Sequence, residues 1–488
     1  MIQSLIMNQF FFKTRVIKFL LLFILVAVSC TSADKNKVED KDTDKGKDKD
    51  KWAMADEIVA SLDPVTFPDI TYNIKDFGAV ADGKTGNKEA FEKAVTTCSE
   101  NGGGKIIVPK GNYYMDGPLV FKSNVNIELK EGAILNFSHD EKDYLPAVLV
   151  RWEGTEVYNY SPLIYAYKAR NIALTGKGTV NGNGSKNFSD WKTLQKPDKK
   201  KLRKMGQDLT PVYERVFGEG HKLRPSLFQP YGCTNVRLEG VTLLDSPFWV
   251  IHPTFCDNVI IRGVTVDSYN TNNDGADPES CTNVLIEDCD FRTGDDSIAI
   301  KAGRDNDAWR IGRPTENVVI RSCNFFSKIN GVCIGSEMSG GVRNVFIENI
   351  NMPQSSNAIY FKANLDRGGY IENVYVRNIK TDTVRNAFIR FEPNYKNQKS
   401  SFNPTIFNNF TIEDVSCNHN EEVGIYLAGI REDYPIKNIT IKNVSIKETP
   451  VPYVMENAEN IKFLNVKANG KLLDENPKKK KLIPLKTL

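Results

Sequence analysis

A short phrase of the form Asn-apolar-x-apolar-x-x-apolar recurs along most of this chain and constrains its fold more than any other feature. Copies lie 22 to 36 residues apart, with wider gaps near the start. Within each copy apolar side chains alternate with polar ones and β-branched residues are frequent, which predicts a short strand. The eleven copies begin at Asn124, Asn171, Asn235, Asn258, Asn283, Asn317, Asn344, Asn373, Asn409, Asn438 and Asn460.

Self-similarity at this period indicates a solenoid in which each copy stacks on the one before it. Runs with helical periodicity are nearly absent between the copies, which excludes a doubly wound sheet with crossover helices. A β-propeller would need blades of about 40 to 45 residues with four strands each. We therefore predict an all-β fold, a single-stranded parallel β-helix with one continuous core. Each repeat Asn is expected at a bend, with its amide bonded to backbone groups of the turn.

Two segments depart from the repeat. Residues 87–95 have helical spacing, with apolar side chains at Ala90, Phe91 and Ala94 and a candidate N-cap at Asn87. We predict that this helix covers the open N-terminal end of the solenoid. Residues 190–220 are highly charged and irregular, and we expect them to form an insertion on one flank that walls a groove.

The N-terminus has the features of a targeting segment. Three basic residues precede an unbroken apolar run at positions 19–28, which is too short to span a membrane but suits a signal peptide. The sequence Ala27-Val-Ser-Cys30 resembles a bacterial lipobox. We predict that residues 1–29 are a lipoprotein signal peptide and that Cys30 is lipidated. A plain signal peptide cut nearby is the alternative.

The remaining chain divides by composition. Residues 30–51 contain seven Lys and seven acidic residues with no aromatic residue, which predicts a flexible tether. Residues 52–475 hold the repeats and form the predicted β-helix domain. Residues 476–488, with their run of four lysines, are expected to be a solvated basic tail.

The charge balance and the small numbers of His and Cys exclude several functions. The chain has 64 Lys+Arg and 61 Asp+Glu, and the surplus of +3 comes from the predicted signal peptide. Nucleic acid is therefore not expected as a partner, and any grip on a charged polymer must be local. Four His leave little room for His-rich metal sites. The eight Cys after Cys30 form no CxxC pair, and we expect them to be small buried apolar residues.

Two acidic clusters on adjacent repeats carry the candidate chemistry. Asp274 and Asp295 are 21 residues apart, close to one coil, and Asp296 follows directly. Stacked coils lie about 4.8 Å apart, so these carboxylates are expected to face one another. Such a pair suits glycosidic-bond cleavage, because one group must be protonated and the other ionised. A Ca²⁺ site is an alternative use of these oxygens. Asp277 and Glu279 are interpreted as ordinary turn residues.

At these residues the chain resembles the polygalacturonase-type pectinases of glycoside hydrolase family twenty-eight. The family signature Asn-Thr-Asp-Gly reads Asn272-Asn-Asp-Gly275, and Gly-Asp-Asp followed by a strand and Lys is matched from Gly294 to Lys301. The resemblance covers about residues 70 to 470. It implies a right-handed parallel β-helix that hydrolyses α-galacturonosyl linkages with inversion and without a metal or other cofactor. Longer phrases resemble a bacterial branch that often acts from chain ends.

By position in these motifs, the resemblance implies that Asp295 is the general acid and that Asp274 and Asp296 hold and deprotonate the attacking water. Lys362 would hold the substrate carboxylate next to the cut. Further candidates for binding the substrate follow from nearby sequence: Lys301 and Arg304 after the acid pair, Asn364 after Lys362, and His221 in the charged insertion.

Two signatures are altered. The family's Gly-His-Gly is replaced by a segment without His, in which Ile329 or Asn330 takes its place. The family's Arg-Ile-Lys reads Tyr360-Phe-Lys362, which removes a bidentate carboxylate fork and offers an aromatic platform in its place. We therefore expect the sugar on the leaving side to differ from ordinary galacturonate, as in rhamnogalacturonan or a branched pectin.

The combined prediction is an exported, monomeric hydrolase of a pectic polysaccharide, lipid-anchored in the bacterial cell envelope. Three alternatives remain open. A pectate-lyase-like enzyme on the same fold would use an Arg or Lys base with Ca²⁺ and give unsaturated products. A non-catalytic glycan-binding lipoprotein would bind without cleavage, and a tail-spike-like adhesin would form trimers.

Overall fold

Most of the ordered backbone in the computed structural model is β-strand. The structure describes residues 44–62, 65–396 and 402–485. The predicted signal peptide, Cys30 and the first part of the tether lie outside the described residues. Among the described helices, none combines the length and the apolar character that crossing a membrane requires.

The strands follow one another with short connections over the described chain. The first sixteen are β1 Thr71–Asn73, β2 Asp82–Gly86, β3 Gly104–Val108, β4 Gly111–Met115, β5 Leu119–Phe121, β6 Val125–Leu129, β7 Ala133–Phe137, β8 Val148–Trp152, β9 Thr155–Asn159, β10 Ile164–Tyr167, β11 Arg170–Gly176, β12 Thr179–Asn181, β13 Val216–Phe217, β14 Phe228–Tyr231, β15 Thr234–Glu239 and β16 Thr242–Leu244. The later ones are β17 Asp257–Arg262, β18 Thr265–Ser268, β19 Thr282–Glu287, β20 Asp290–Thr293, β21 Ile298–Ile300, β22 Thr315–Ser327, β23 Asn330–Ile334, β24 Val342–Lys362, β25 Tyr370–Glu392, β26 Ile406–Glu413, β27 Ser416–Asn420, β28 Val423–Ala428, β29 Ile436–Glu448, β30 Val451–Glu456, β31 Ala458–Ala468 and β32 Lys471–Leu472.

Helices are few in the part of the chain that the structure describes. The α-helices are α1 Asp44–Ser61, α2 Lys88–Glu100, α3 Trp191–Leu194, α4 Lys196–Gln207 and α5 Asp305–Ile311. Short 3-10 helices span Ile74–Phe77, Glu141–Tyr144 and Val212–Glu214.

Each repeat strand pairs in parallel with the strand of the preceding copy. The series runs β6, β11, β15, β17, β19, β22, β24, β25, β26, β29 and β31, with consecutive members hydrogen-bonded in register. Apolar side chains at alternate positions, such as Val284 and Ile286, point into one continuous core. This stacking confirms the predicted parallel β-helix. The antiparallel exceptions among the described strands are β8 with β9 and β31 with β32.

The repeat asparagines form ladders along the solenoid. All eleven have a positive φ, between 52° and 64°, so each occupies the left-handed conformation that Asn tolerates better than most residues. From Asn171 to Asn409, each side-chain amide donates to the side-chain oxygen of the previous copy. Asn438 bonds Asn408 rather than Asn409, and Asn460 continues from Asn438. The bend prediction is confirmed, but the amide partners are neighbouring Asn side chains rather than turn backbone.

Helix α1 covers an apolar stripe on the outer face of the repeat strands. Ile260, Leu285, Val319, Phe346 and Tyr375 point outwards on five successive coils and are buried under Trp52, Ala55, Ile58 and Leu62. A solenoid coil needs apolar residues only on its inner side, so this outer stripe requires a cover. The helix begins at Asp44, within the segment expected to be a flexible tether, and that expected boundary at residue 51 is not a boundary of secondary structure.

Helix α2 occupies the position predicted from its periodicity and buries Ala90, Phe91, Ala94, Val95 and Cys98 in the main core. Its expected N-cap differs from the prediction. The side chain of Asn87 makes no capping bond and instead contacts backbone groups of Val80, Thr85 and Tyr114. Asn87 therefore ties the preceding loop to the first coil. A covering role for α2 stays a prediction.

The predicted charged insertion contains α3, α4 and β13, and it packs against the hairpin of β8 and β9. A second apolar cluster, which includes Trp152, Leu202, Phe217 and Trp249, holds this flank on the solenoid. All eight cysteines after Cys30 are buried and free, as expected.

The C-terminal segment is packed rather than wholly solvated. Lys480 exchanges both backbone hydrogen bonds with Met455, and its ammonium group lies 3.8 Å from the ring centre of Tyr453. Leu482 and Leu485 pack against an outward cluster that contains Tyr426 and Val454. The basic tail predicted for residues 476–488 thus includes residues that contact the last coils.

Candidate active site

Three carboxylates converge where the coils of Asp274 and Asp295 stack. One oxygen from each of Asp274, Asp295 and Asp296 lies within 4.8 Å of the others. Backbone hydrogen bonds from Val250 to Asp274 and from Gly275 to Asp296 fix the three neighbouring coils. The predicted facing of these acids across adjacent coils is therefore observed.

A bend lets the adjacent residues Asp295 and Asp296 serve one site. Both lie in the connection between β20 and β21, outside either strand, so the alternation of strand side chains does not apply to them. Gly294 makes this connection possible, because a Cβ there would lie 2.2 Å from the backbone oxygen of Asn270. Any other residue at position 294 would push the acid pair away from the neighbouring coil.

Burial and mutual repulsion raise the pKa of two of these acids. Burial, reinforced by the charge of Asp296, raises the pKa of Asp295 to about 6. Burial and the charges of Asp277 and Asp295 raise the pKa of Asp274 well above its usual range, while Lys301 opposes this rise. Asp295 is therefore suited to carry a proton in mildly acidic solution, as a general acid requires.

Asp296 receives one donor on each oxygen. The side-chain nitrogen of Asn330 lies 2.5 Å from Oδ1, and Nζ of Lys362 lies 3.1 Å from Oδ2. Of the two residues that stand where the family signature has His, Asn330 is thus the one that reaches the site. The two carboxyl oxygens accept one hydrogen bond each, and these bonds fix the orientation of the group.

Lys301 lies at the centre of a buried ionic cluster. Its Nζ is 3.7 Å from Asp274, 3.5 Å from Asp277 and 3.5 Å from Glu337, and its side chain is 4% exposed. Burial lowers the pKa of Lys301, but the three carboxylates outweigh burial and raise it well above its usual range. Lys301 therefore remains a cation that offsets the acids of the site, with little surface left for a substrate.

Asp277 is a functional candidate that the sequence interpretation missed. It is fully buried, and among the described residues neither of its oxygens accepts a hydrogen bond, although Nζ of Lys301 lies 3.5 Å away. Burial raises the pKa of Asp277 well above its usual range. Glu279, interpreted like Asp277 as a turn residue, is buried as well and bonds His252 at 2.8 Å. Neither acid is a solvated turn residue, and no local pattern in the sequence marks them as buried.

The other predicted substrate ligands lie in varied surroundings. Arg304 is buried, donates to Glu337 at 2.6 Å and to the backbone oxygen of Glu153 at 3.1 Å, and supports the wall of the site. Asn364 is buried and accepts from the backbone of Lys396. His221 bonds Asp198 at 2.8 Å and lies in a separate surface depression with Leu145. Of the predicted substrate ligands, Lys362 and Asn330 thus contact the acids, whereas His221 lies in a different depression.

Tyr360 is not the aromatic platform expected from the sequence. Its side chain is 5% exposed, and its hydroxyl donates to Glu392. The ring lies between two cations, with Nζ of Lys362 at 5.4 Å and the guanidinium carbon of Arg390 at 4.7 Å from its centre. Arg390 stands in register with Tyr360 on the next coil, which is why the ring is covered.

A pocket of about 180 Å³ surrounds the three acids. Its remaining walls bring together Glu153 from the hairpin of β8 and β9, Lys199 and Arg203 from α4, and Tyr395 and Lys396 after β25. The insertion that was expected to wall a groove thus does so. Sequence reasoning named none of these five residues, because their approach depends on how the insertion folds back.

The acids could also be considered as cation ligands. Their oxygens are close enough to share an ion. However, two ammonium groups, those of Lys301 and Lys362, already lie 3.7 Å and 3.1 Å from Asp274 and Asp296. Ca²⁺ prefers six to eight oxygens without competing cations. The arrangement therefore fits proton transfer between carboxyl groups better than a Ca²⁺ site.

This chain is similar to known proteins in sequence and in structure. A family model described as glycosyl hydrolases family 28 matches residues 98–469. The chain is 31% identical to a probable polygalacturonase of Vitis vinifera over 80% of this chain and 77% of that protein. It is 25% identical to an endo-polygalacturonase of Pectobacterium carotovorum subsp. carotovorum over 73% and 83%, respectively.

Among solved structures, a hyperthermoactive exopolygalacturonase from Thermotoga maritima superposes with a TM-score of 0.82. It shares 38% sequence identity with this chain, and the match covers 86% of this chain and 97% of that one. The region matched by the family model contains all three clustered acids, Lys362 and the insertion that closes the pocket.

Proposed function

Since this chain belongs to glycosyl hydrolase family 28 and is a glycoside hydrolase, we propose that it hydrolyses α-galacturonosyl linkages of a pectic polysaccharide and releases sugars from chain ends. The observation that carries this proposal is the cluster of Asp274, Asp295 and Asp296 inside a small pocket. Relatives named as polygalacturonases support the substrate class.

In the proposed mechanism, Asp295 protonates the leaving glycosidic oxygen. Asp274 and Asp296 hold a water molecule and take its proton as it attacks the anomeric carbon. Lys362 and Asn330 keep Asp296 oriented towards that water. Lys301 offsets the charge of Asp274 so that the site holds three acids at one point.

The stereochemical outcome follows from the family resemblance rather than from spacing. Carboxyl groups about 6.5–9.5 Å apart are typical of inverting enzymes, and about 5–5.5 Å of retaining ones. Here the nearest oxygens lie within 4.8 Å of one another, so spacing alone favours retention. We propose inversion because the family resemblance implies it, with Asp274 and Asp296 as the residues that hold the attacking water. The anomer of the first product, followed by NMR, decides between the two.

Attack from chain ends is supported by the pocket. Its volume of about 180 Å³ is below the range of about 300–1,000 Å³ of drug-sized sites, so it suits one sugar rather than an open stretch of polymer. Glu153, Lys199 and Arg203 close it on the side of the insertion. The 38% identical Thermotoga maritima protein is named as an exopolygalacturonase.

A second candidate concerns the sugar on the leaving side. Tyr360 replaces the Arg of the family signature, and its hydroxyl is engaged with Glu392. A rhamnose or branched residue at that position, as in rhamnogalacturonan, has no carboxylate for an Arg to hold. This substitution favours such a substrate as the alternative to plain homogalacturonan.

One product profile tests these proposals. The purified protein is incubated with homogalacturonan and with rhamnogalacturonan, and products are resolved by size, anomer and ultraviolet absorbance. Release of monogalacturonate from homogalacturonan without unsaturated products supports exo-hydrolysis. Release of mixed oligomers contradicts attack from chain ends, and unsaturated products indicate the lyase. Binding without new reducing ends points to the glycan-binding lipoprotein.

We further propose that the protein is exported, anchored through lipid on Cys30 and active as a monomer. The basic and apolar order of the first 28 residues and the lipobox-like sequence before Cys30 support the first two points. A sizing column distinguishes the monomer from the trimer expected of a tail-spike-like adhesin.

A further inference from the structure

Glu153 joins two cations of the insertion at the wall of the pocket. It lies between β8 and β9, and its carboxylate accepts from Nζ of Lys199 at 2.6 Å and from a terminal nitrogen of Arg203 at 2.8 Å. All three residues line the pocket together with the catalytic acids. None of them belongs to a signature motif of the family.

This cluster carries one surplus positive charge. Burial raises the pKa of Glu153, but Lys199 and Arg203 outweigh burial and lower it to about 2, so Glu153 stays ionised. Nε of Arg203 is buried and has no hydrogen-bond partner among the described residues. The side chains of Lys199 and Arg203 are 28% and 31% exposed, whereas that of Glu153 is 7% exposed. The two cations therefore line the pocket with more exposed surface than Glu153, which joins them.

The anchor is held rigidly on the coil of the catalytic acids. The backbone oxygen of Glu153 accepts from Nε of Arg304, and that of Gly154 accepts from the backbone of Arg304. Gly154 has a φ of +86°, and a Cβ there would lie 2.8 Å from Arg304. A fixed hairpin thus sets the distance between the two cations of α4 and the acids beyond Arg304.

We propose that Lys199 and Arg203 bind the carboxylate of the chain-terminal uronate, with Glu153 as a positioning residue for both. This inference rests on the proposed exo-hydrolysis of a galacturonan and names the substrate group that the pocket recognises. Arginine presents donors in a planar fork that matches a carboxylate, and an anion offsets the surplus charge of the cluster. A chain end without a free carboxylate leaves the surplus charge of the cluster without a counter-ion, and it is cleaved less efficiently for that reason.

The test compares two trisaccharides with Arg203→Gln, Lys199→Gln and wild type. One substrate is trigalacturonate, and in the other the terminal sugar that is released carries a methyl ester. We expect wild type to cleave the ester with a kcat/KM about 10- to 100-fold lower, the range for hydrogen bonds to a charged group. In each variant kcat/KM on the free acid falls by a similar factor, whereas activity on the ester changes less than about threefold.

Lys200→Gln is the matched control, because it removes the same charge from an exposed position of the same helix. Its kinetics are expected to equal those of wild type. Equal losses on both substrates in the Arg203 and Lys199 variants overturn the inference, since they indicate a structural role, and so does retained preference for the free acid. Failure of the wild type to release monogalacturonate from any galacturonan instead overturns the proposed function.

Discussion

Asn330, one of the two residues that stand where the family signature carries a His, donates its side-chain amide to Oδ1 of Asp296 across 2.5 Å. Its own oxygen accepts from Asn357 on the next coil at 2.7 Å. The amide is thus held on both sides, and it fixes one oxygen of a candidate catalytic carboxylate with a group that does not titrate.

Asn330→Ala is expected to lower kcat on polygalacturonate by about 10- to 100-fold, because Asp296 loses the donor that orients it. KM should change little, since Asn330 contacts the acid rather than the pocket opening. Asn351→Ala removes an exposed amide that donates to Asn324 and serves as the control. Equal activity of the two variants would show that Lys362 alone positions Asp296.

Asp295→Asn is expected to reduce kcat by about 10²- to 10⁴-fold, the contribution of a general acid. The exposed ion-paired Asp290→Asn is the control. In the wild type, kcat/KM should fall above about pH 6, because the pKa of Asp295 is raised to about 6 and only its protonated form donates. Persistence of the wild-type profile well above that pH contradicts the assignment.

The raised pKa of Asp295 also predicts how the stability of the protein depends on pH. A carboxyl group whose pKa rises from 3.8 to about 6 on folding binds more protons in the folded state. Its contribution to the free energy of unfolding is therefore present below pH 3.8 and is lost as the pH rises through 6. Asp295→Asn should gain stability relative to wild type across that window, as measured by urea unfolding. A constant difference between the two proteins contradicts the shift.

Asp277→Asn is expected to move the acidic limb of the kcat/KM profile to lower pH. The charge of Asp277 helps to raise the pKa of Asp274, so its removal lets Asp274 ionise earlier. Groups that face Asp277 are Lys301, Asp274, Asp296 and Glu279. The exposed Asp288→Asn is the control. If the acidic limb of the kcat/KM profile does not move, Asp277 is already neutral in the resting enzyme.

Tyr360→Arg is expected to destabilise the protein rather than to improve activity on polygalacturonate. An Arg at 360 would place a third cation between Lys362 and Arg390 in a buried layer. Loss of about 1–3 kcal/mol in the free energy of unfolding is the usual scale for such a change. Tyr360→Phe keeps the ring and removes only the bond to Glu392. Higher activity of the Arg variant on polygalacturonate would support the second candidate, in which the missing Arg sets specificity.

Cys30→Ser is expected to shift the protein from the membrane fraction to the soluble fraction, because lipidation requires the thiol. Thr31→Ala keeps the thiol and serves as the control. Unchanged fractionation of the Cys30 variant rejects the lipobox, whatever the outcome for catalysis.

Most of the fold and the centre of the site could be predicted from short local patterns in the sequence. The spacing of the repeat asparagines predicted strands that stack in register, and Asp274, Asp295 and Asp296 meet as expected. These features are set within one coil and its immediate neighbour, so short motifs contain them.

Features set by contacts between distant segments were missed. The burial of Tyr360 depends on Arg390 thirty residues later, and the wall of the pocket depends on the return of α4 to Glu153. The outer stripe contains Ile260, Leu285 and Val319, each an apolar residue in the middle of a repeat strand. The sequence does not indicate that α1 covers this stripe. The composition of residues 30–51 favours a flexible tether, and it does not indicate that the last of these residues belong to α1.

The row of repeat asparagines changes its hydrogen-bond partner once along the stack. Its amide chain runs from Asn124 to Asn409 and restarts at Asn408 for the copies at Asn438 and Asn460. In a protein whose coils contact only their neighbours, opening proceeds from the ends and pauses where coupling changes. The terminal coils are therefore expected to fray first in hydrogen exchange, while the coils of Asp274 and Asp295 stay closed within the longer segment.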